Sequence, residues 1–120
     1  MHIRESAEDY LETILMLYES KGEVRSIDIA AEMNVTKPSV SFAMKKLREN
    51  GYIVMDKDNY ITLTEEGMRI AQKVFNRHRV ISKFLMQIGV NEQDALSDAC
   101  KIEHDISAAT FEAILAQLKS

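Results

Sequence analysis

The stretch from Ser26 to Leu63 constrains the fold more than any other part of the chain. Two short helical patterns stand three residues apart there, and a β-prone pair follows directly. The first pattern runs from Ile27 to Met33, with Ser26 placed to cap it and Ile29, Ala30 and Met33 on one face. Asn34-Val35-Thr36 forms the connection. Thr36 then caps a second helix, Pro38 lies in its first turn where the missing amide costs nothing, and Val40, Ala43, Met44 and Leu47 recur at helical spacing. Asn50-Gly51 stops it, because glycine takes the left-handed conformation that closes many helices. Tyr52-Ile53-Val54-Met55 and Tyr60-Ile61-Thr62-Leu63 flank the polar turn Asp56-Lys57-Asp58-Asn59, which predicts a small hairpin. Two helices joined by so short a turn, with a hairpin behind them, make a winged helix-turn-helix.

Helical patterns lie on both sides of this stretch. Ser6, with Glu8 and Asp9 behind it, opens a helix carrying Tyr10, Ile14, Leu15, Leu17 and Tyr18 until Gly22. Thr64-Glu65-Glu66-Gly67 starts a long helix expected to reach about Ile88, since Ile70, Val74, Phe75, Val80, Ile81, Phe84 and Leu85 keep helical spacing; Gly89 breaks it. Asn91 caps a helix expected to run to about Ile106, and Ser107 caps a last one. The expected fold class is mainly α, with a winged helix-turn-helix domain over residues 1–63 and an all-helical domain over residues 64–120.

The net charge of -4 argues, taken alone, against a nucleic-acid partner, but its distribution reverses that argument. From Thr36 to Lys57, five basic residues (Lys37, Lys45, Lys46, Arg48, Lys57) outnumber the acidic pair Glu49 and Asp56, a local charge of +3. After Ile88, only Lys101 and Lys119 face Glu92, Asp94, Asp98, Glu103, Asp105 and Glu112, a local charge of -4. A helix-turn-helix lays its second helix in the major groove of double-stranded DNA. Thr36, Lys37, Ser39, Ser41 and Phe42, with Pro38 in the same turn, are placed to meet base edges, Phe42 against thymine methyls. Lys45, Lys46, Arg48 and Lys57, the last at the wing tip, are placed to hold phosphates. Any one of these basic residues is equally well read as the solvated face of an amphipathic helix, and winged folds also serve as protein-docking modules. The whole pattern is what points to DNA.

The rest of the chain offers donors for a metal. Asp9 and Glu12, three apart, share a helix face; Cys100, Glu103 and His104 stand at i, i+3 and i+4 on another; His78 lies within Asn76-Arg77-His78-Arg79. Carboxylate, imidazole and thiolate are donors that first-row divalent ions take. Each has a plainer reading by itself: a helix-start charge for Asp9, a small buried side chain for Cys100, a surface group for His78. A metalloenzyme needs an open coordination position and a general base, and the sequence carries neither an H-E-x-x-H element nor a glycine-rich phosphate loop. A lone cysteine makes no internal disulfide, which fits a reducing cytoplasm. No apolar run approaches the roughly 18 residues of a membrane span, and the polar MHIRESAEDY start shows no signal peptide. Phe84, Leu85 and Ile88, with Phe111, Ile114, Leu115 and Leu118, exceed the partner surface available within 120 residues, which predicts a homodimer packed across a two-fold axis.

Over essentially its whole length the chain resembles the diphtheria toxin repressor and manganese transport regulator family of metal-dependent transcriptional repressors. The resemblance is carried by Glu8-Asp9-Tyr10-Leu11-Glu12, Thr36 to Leu47, Leu63-Thr64 leading to Gly67, Arg77-His78-Arg79, and above all Ala99-Cys100-Lys101-Ile102-Glu103-His104 followed by Ser107. It implies that residues 64–120 form a dimerisation and metal-binding domain. It also implies that Asp9, Glu12, His78, Cys100, Glu103 and His104 are the metal-site positions, with Fe(II) or Mn(II) as co-repressor, and that a homodimer binds palindromic operators, those of metal-uptake genes among them. The donor set is a hybrid, because Asp9 and Glu12 match the manganese sensors whereas a cysteine at Cys100 matches the iron type. Carboxylates favour Mn(II) and a thiolate tilts the set towards softer ions such as Fe(II). Ser82 and Leu96 stand where iron-type members place ligands of an ancillary site, so a second site of that type is not expected. Nor is a C-terminal SH3-like domain, which points to a short, two-domain form. The alternative reading is a winged-helix repressor governed by a small ligand or by oxidation of Cys100 instead of a metal.

Overall fold

The computed structural model describes residues 3–119, in the order α1 (Ile3–Lys21), α2 (Ser26–Met33), α3 (Lys37–Glu49), β1 (Ile53–Met55), β2 (Ile61–Leu63), α4 (Glu65–Gln87), α5 (Glu92–Ile102) and α6 (Ala108–Lys119). The fold is mainly α with one small two-stranded sheet, the class the sequence predicts. Contacts divide the chain into two compact units, Met1–Gln72 and Lys73–Ser120, each described below by itself. Among the described residues no helix is long and apolar enough to cross a membrane.

In the first unit, α1 buries Tyr10, Leu11, Ile14, Leu15 and Leu17, α2 buries Ile29 and Ala30, and α3 buries Val40, Met44 and Leu47. These are the i, i+4, i+7 rows of amphipathic helices. Helix starts differ from expectation twice. α1 is already helical at Ile3, so Ser6 lies inside it and is not its cap. α2 includes Ser26, and its cap position is Arg25, because the Asp28 carboxylate accepts the Arg25 amide at 2.9 Å and draws the helix start one residue back. Asn34, at φ 56°, closes α2. Thr36 opens α3 as expected, its hydroxyl accepting the Ser39 amide at 3.3 Å. Beyond α3, the amides of Gly51 (φ 79°) and Tyr52 return to the carbonyls of Arg48 and Leu47, a Schellman closure.

The chain then enters the wing with Ile53 opposite Leu63, Val54 opposite Thr62 and Met55 opposite Ile61. Ile53 and Ile61 point into the core, and the Asp56 carboxylate organises the turn by accepting the amides of Asp58 and Tyr60 at 2.8 and 3.0 Å. Ile61 also donates its amide to the Val24 carbonyl at 2.7 Å, tying the wing to the α1–α2 loop. At the wing's base the Thr64 amide donates to the Tyr52 carbonyl at 3.0 Å, and the Thr64 hydroxyl donates to the Gly51 carbonyl and accepts the Gly67 amide. Gly67 passes so close to Tyr52 that a Cβ there would overlap the Tyr52 carbonyl.

The second unit packs Val80 and Ile81 of α4, Ala99 of α5 and Phe111 of α6 into a small core, with Leu85, Ile102, Ile106, Ile114, Leu115 and Leu118 half-buried around it. Phe111 is therefore occupied within its own unit, whereas Ile88 stays exposed. Asn91 caps α5 and Ser107 caps the start of α6, both as expected. α5 ends at Ile102, four residues before the expected Ile106, and the Asp105 amide closes a tighter turn on the Ile102 carbonyl at 2.9 Å. Arg77 fixes that turn by donating to the carbonyls of Glu103 and Ile106.

Candidate metal centre and DNA-reading face

The second unit brings three of the expected donors together. His78 comes from α4, Cys100 from the last turn of α5, and Glu103 from the first residue beyond it. The His78 Nδ1 lies 3.0 Å from Glu103 Oε2 and 3.8 Å from Cys100 Sγ, and one donor atom from each residue falls within 4.8 Å of the others. His104, next in sequence, places Nε2 3.4 Å from Glu103 Oε1. The two oxygens of Glu103 thus face two different imidazoles. Glu103, the cap residue of α5, keeps helical φ and ψ and donates its amide to the Ala99 carbonyl at 2.9 Å, so it stays on the same side as Cys100, as the spacing predicts; Cys100 is exposed, whereas Glu103 is only 2% exposed.

The electrostatics follow from that geometry. A buried carboxylate is unfavourable unless paired. Glu103 Oε2 has His78, but Oε1 has no hydrogen-bond partner among the described residues; His104 stands at ion-pair distance without hydrogen-bond alignment. The Cys100 sulfur first, and then the Glu103 carboxylate, hold the His78 imidazole protonated, raising its pKa from 6.5 to about 10 against the opposing effect of burial. A thiolate, a carboxylate with a spare buried oxygen and two imidazoles form a donor set that fits a divalent first-row ion.

Sequence reasoning missed the residue that builds this arrangement. Arg77 donates to the Glu103 and Ile106 carbonyls, each at 3.2 Å, while its guanidinium stacks 5.3 Å from the Phe111 ring centroid. It pins the turn that carries Glu103 to the α6 core. Its place beside His78 was the one available signal. Asp9 and Glu12 lie in the first unit, one turn apart on α1, Asp9 half-buried and Glu12 buried. At the positions of the ancillary site, Ser82 is buried with its hydroxyl donating to the Arg79 carbonyl, and Leu96 is exposed.

In the first unit the expected DNA-reading residues share one property. Thr36, Lys37, Pro38, Ser39, Ser41, Phe42, Lys45, Lys46 and Arg48 are all exposed, as is Lys57 at the wing tip. The Thr36 hydroxyl donates to Ser39 Oγ at 2.8 Å, Lys46 Nζ lies 5.5 Å above the Phe42 ring, and Arg48 reaches the Met55 sulfur on the wing. A buried Val40, Met44 and Leu47 behind them turn this polar and basic face outward.

Comparison with known proteins bears on both units. Residues 2–60 match the model described as iron dependent repressor, N-terminal DNA binding domain, and residues 64–120 match iron dependent repressor, metal binding and dimerisation domain. The chain belongs to the iron-dependent repressor family. Within this family it is 38% identical over 115 residues to the transcriptional regulator MntR of Salmonella typhimurium, covering 96% of this chain and 73% of that protein. It is 40% identical over 102 residues to the HTH-type transcriptional regulator MntR of Geobacillus thermodenitrificans, covering 85% and 72% of the two chains. A solved manganese-dependent transcriptional repressor in complex with manganese superposes with a TM-score of 0.85 at 30% identity, over 94% of this chain and 52% of that one. The chain thus spans about half the length of that solved relative.

Proposed function

We propose that this chain is a metal-dependent transcriptional repressor that binds palindromic operator DNA as a homodimer, with Fe(II) or Mn(II) as co-repressor. The observation that carries the reading is Glu103: a buried carboxylate with one oxygen on His78, the other unsatisfied beside His104, and Cys100 at the rim. His78, Cys100, Glu103 and His104 hold the ion, and Asp9 and Glu12 of α1 are assigned to the same ligand set on the strength of the sequence resemblance. A bound divalent cation supplies the positive charge that these anionic donors share. Donors drawn from a DNA-reading unit over residues 1–63 and a dimerising unit over residues 64–120 limit the relative motion of the two. A two-fold dimer must present its recognition helices at groove positions about one turn, or a multiple of it, apart, so limiting that motion sets operator affinity. Likeness to a manganese-dependent repressor supports Mn(II), and the thiolate of Cys100 supports Fe(II).

Fluorescence anisotropy under anaerobic conditions tests the reading. Operator duplex is titrated with metal-free protein, then with Mn(II), Fe(II), Co(II) and Zn(II) in turn. Tight binding only with metal is the expected result; a coupling of about 1 to 3 kcal/mol per site corresponds to a switch of about 5- to 150-fold for each ion. Equal affinity with and without metal would reject it. The exposed Cys100 sulfur beside His78 favours one alternative, release of DNA by thiol oxidation, which predicts a response to peroxide in protein that has never held metal.

A further inference from the structure

Packing explains the buried row of α3, but it does not explain Phe42. Val40, Met44 and Leu47 fill the core, and Phe42 lies off that row with 65% of its surface exposed, more than any other large hydrophobic residue among those described. Its neighbours one turn away are Pro38, Ser39, Lys45 and Lys46, all exposed, so no apolar patch surrounds the ring of the kind that a protein partner would cover. Lys46 sets the ring's orientation, its ammonium standing 5.5 Å above the ring centroid. The face bears Lys37, Lys45, Lys46 and Arg48 as well, and the complement of such a face is a polyanion. On the major-groove edges of the four base pairs, the one apolar group is the C5 methyl of thymine.

We propose that Phe42 is a specificity-determining residue that reads a thymine C5 methyl in each operator half-site, with Lys46 holding the ring in place and contacting the adjacent phosphate. The assignment rests on the DNA-reading role of α3 given above. An apolar ring on a helix of hydroxyls and cations adds little to binding at other base edges, where donors and acceptors would be covered without being matched. It therefore converts general affinity into preference for one base.

The test uses the metal-loaded full chain and a palindromic duplex enriched by that protein from a random-sequence pool. Thymines are replaced one at a time by deoxyuridine, which lacks only the C5 methyl, and affinity is read by anisotropy for wild type, Phe42→Ala and Lys46→Ala. One thymine per half-site is expected to respond, with a loss of about fourfold for one half-site and about fifteenfold for both. Phe42→Ala should lose a comparable factor on the thymine duplex and become indifferent to deoxyuridine, while its thermal melting stays that of wild type because the side chain packs on nothing in the core. Lys46→Ala should weaken binding to both duplexes, lower the salt dependence, and shrink the deoxyuridine penalty without abolishing it. Operator binding that ignores every thymine methyl, or a deoxyuridine penalty of unchanged size in Phe42→Ala, overturns this assignment alone. No binding of wild type to any duplex overturns the DNA-reading role and the assignment with it.

Discussion

Replacing Gly67 with alanine sets two effects of opposite sign against each other, and the structure decides which wins. In a helix, Gly→Ala is ordinarily worth up to about 1 kcal/mol of stabilisation. Here an ideal Cβ would sit 3.0 Å from the Tyr52 carbonyl carbon and 3.3 Å from its Cα, and closer still to the carbonyl oxygen. That oxygen is not free to retreat, because it accepts the Thr64 amide at 3.0 Å, and Thr64 Oγ1 in turn joins the Gly67 amide at 3.1 Å to the Gly51 carbonyl at 2.7 Å. Relieving the overlap moves the start of α4 away from the wing and strains these three hydrogen bonds, each worth about 1 kcal/mol net. The expected outcome is destabilisation by about 1 to 3 kcal/mol, read as a lower midpoint in urea unfolding followed by far-ultraviolet circular dichroism. Operator affinity should fall as well, since the same carbonyls anchor the wing. In a Thr64→Val background the two losses should be less than additive, because one broken latch serves both. A Gly67→Ala protein as stable as wild type would refute the argument that close approach, and not chain flexibility, places glycine there.

Three further outcomes follow from the same geometry. Arg77→Met removes both donors to the Glu103 and Ile106 carbonyls; charge-assisted bonds of this kind contribute about 1.5 to 3 kcal/mol each at most, so thermal melting should drop by several degrees and Co(II) should lose its thiolate absorption band more than a comparably destabilised Ile81→Ala does. Thr36→Ala removes the cap of α3 and should cost about 1 kcal/mol in denaturant unfolding, with a loss of operator affinity at equal metal loading. For the metal-free protein, the folded-state pKa of His78 lies above the unfolded one, so its contribution is fully present below about 6.5 and is lost as pH rises through about 10. Melting temperature should decline across that window, Glu103→Gln should flatten the decline, and a decline of unchanged size in that variant would show that the Glu103 pairing is not its source.

The architecture was legible because local rules and packing agree over most of the chain. Thr36, Asn91 and Ser107 cap the helices that the sequence places behind them, and the alternation of Ile53 and Ile61 across an aspartate-rich turn locates the wing. The departures have physical causes. At α2, Asp28 captures the Arg25 amide, a side-chain preference that overrides Ser26 as the cap. At α5 the helix expected to reach Ile106 ends at Ile102, and Arg77, a residue 26 positions before Glu103, holds the turn that follows through the Glu103 and Ile106 carbonyls. A contact so distant in sequence leaves no local pattern. The donor types of the candidate metal centre were readable residue by residue, while the division of Glu103 between His78 and His104 depends on that turn and was not.

The turn also bears on how the candidate donors would behave in metal-free protein. Clustered acidic and thiol donors repel one another, and such a cluster ordinarily opens when the cation leaves. Here the proton that the Cys100 sulfur and the Glu103 carboxylate favour on His78 offsets part of that repulsion, and Arg77 holds the backbone of Glu103 through carbonyls rather than through the carboxylate. The carboxylate is therefore kept in place without being neutralised by the arginine, which leaves Oε1 available. Binding then exchanges a proton for a metal ion on donors already held together, so affinity should rise with pH while little loop-ordering entropy is lost. An arginine paired directly to the Glu103 carboxylate would stabilise the metal-free state more strongly, and would compete with every cation the site is built to accept.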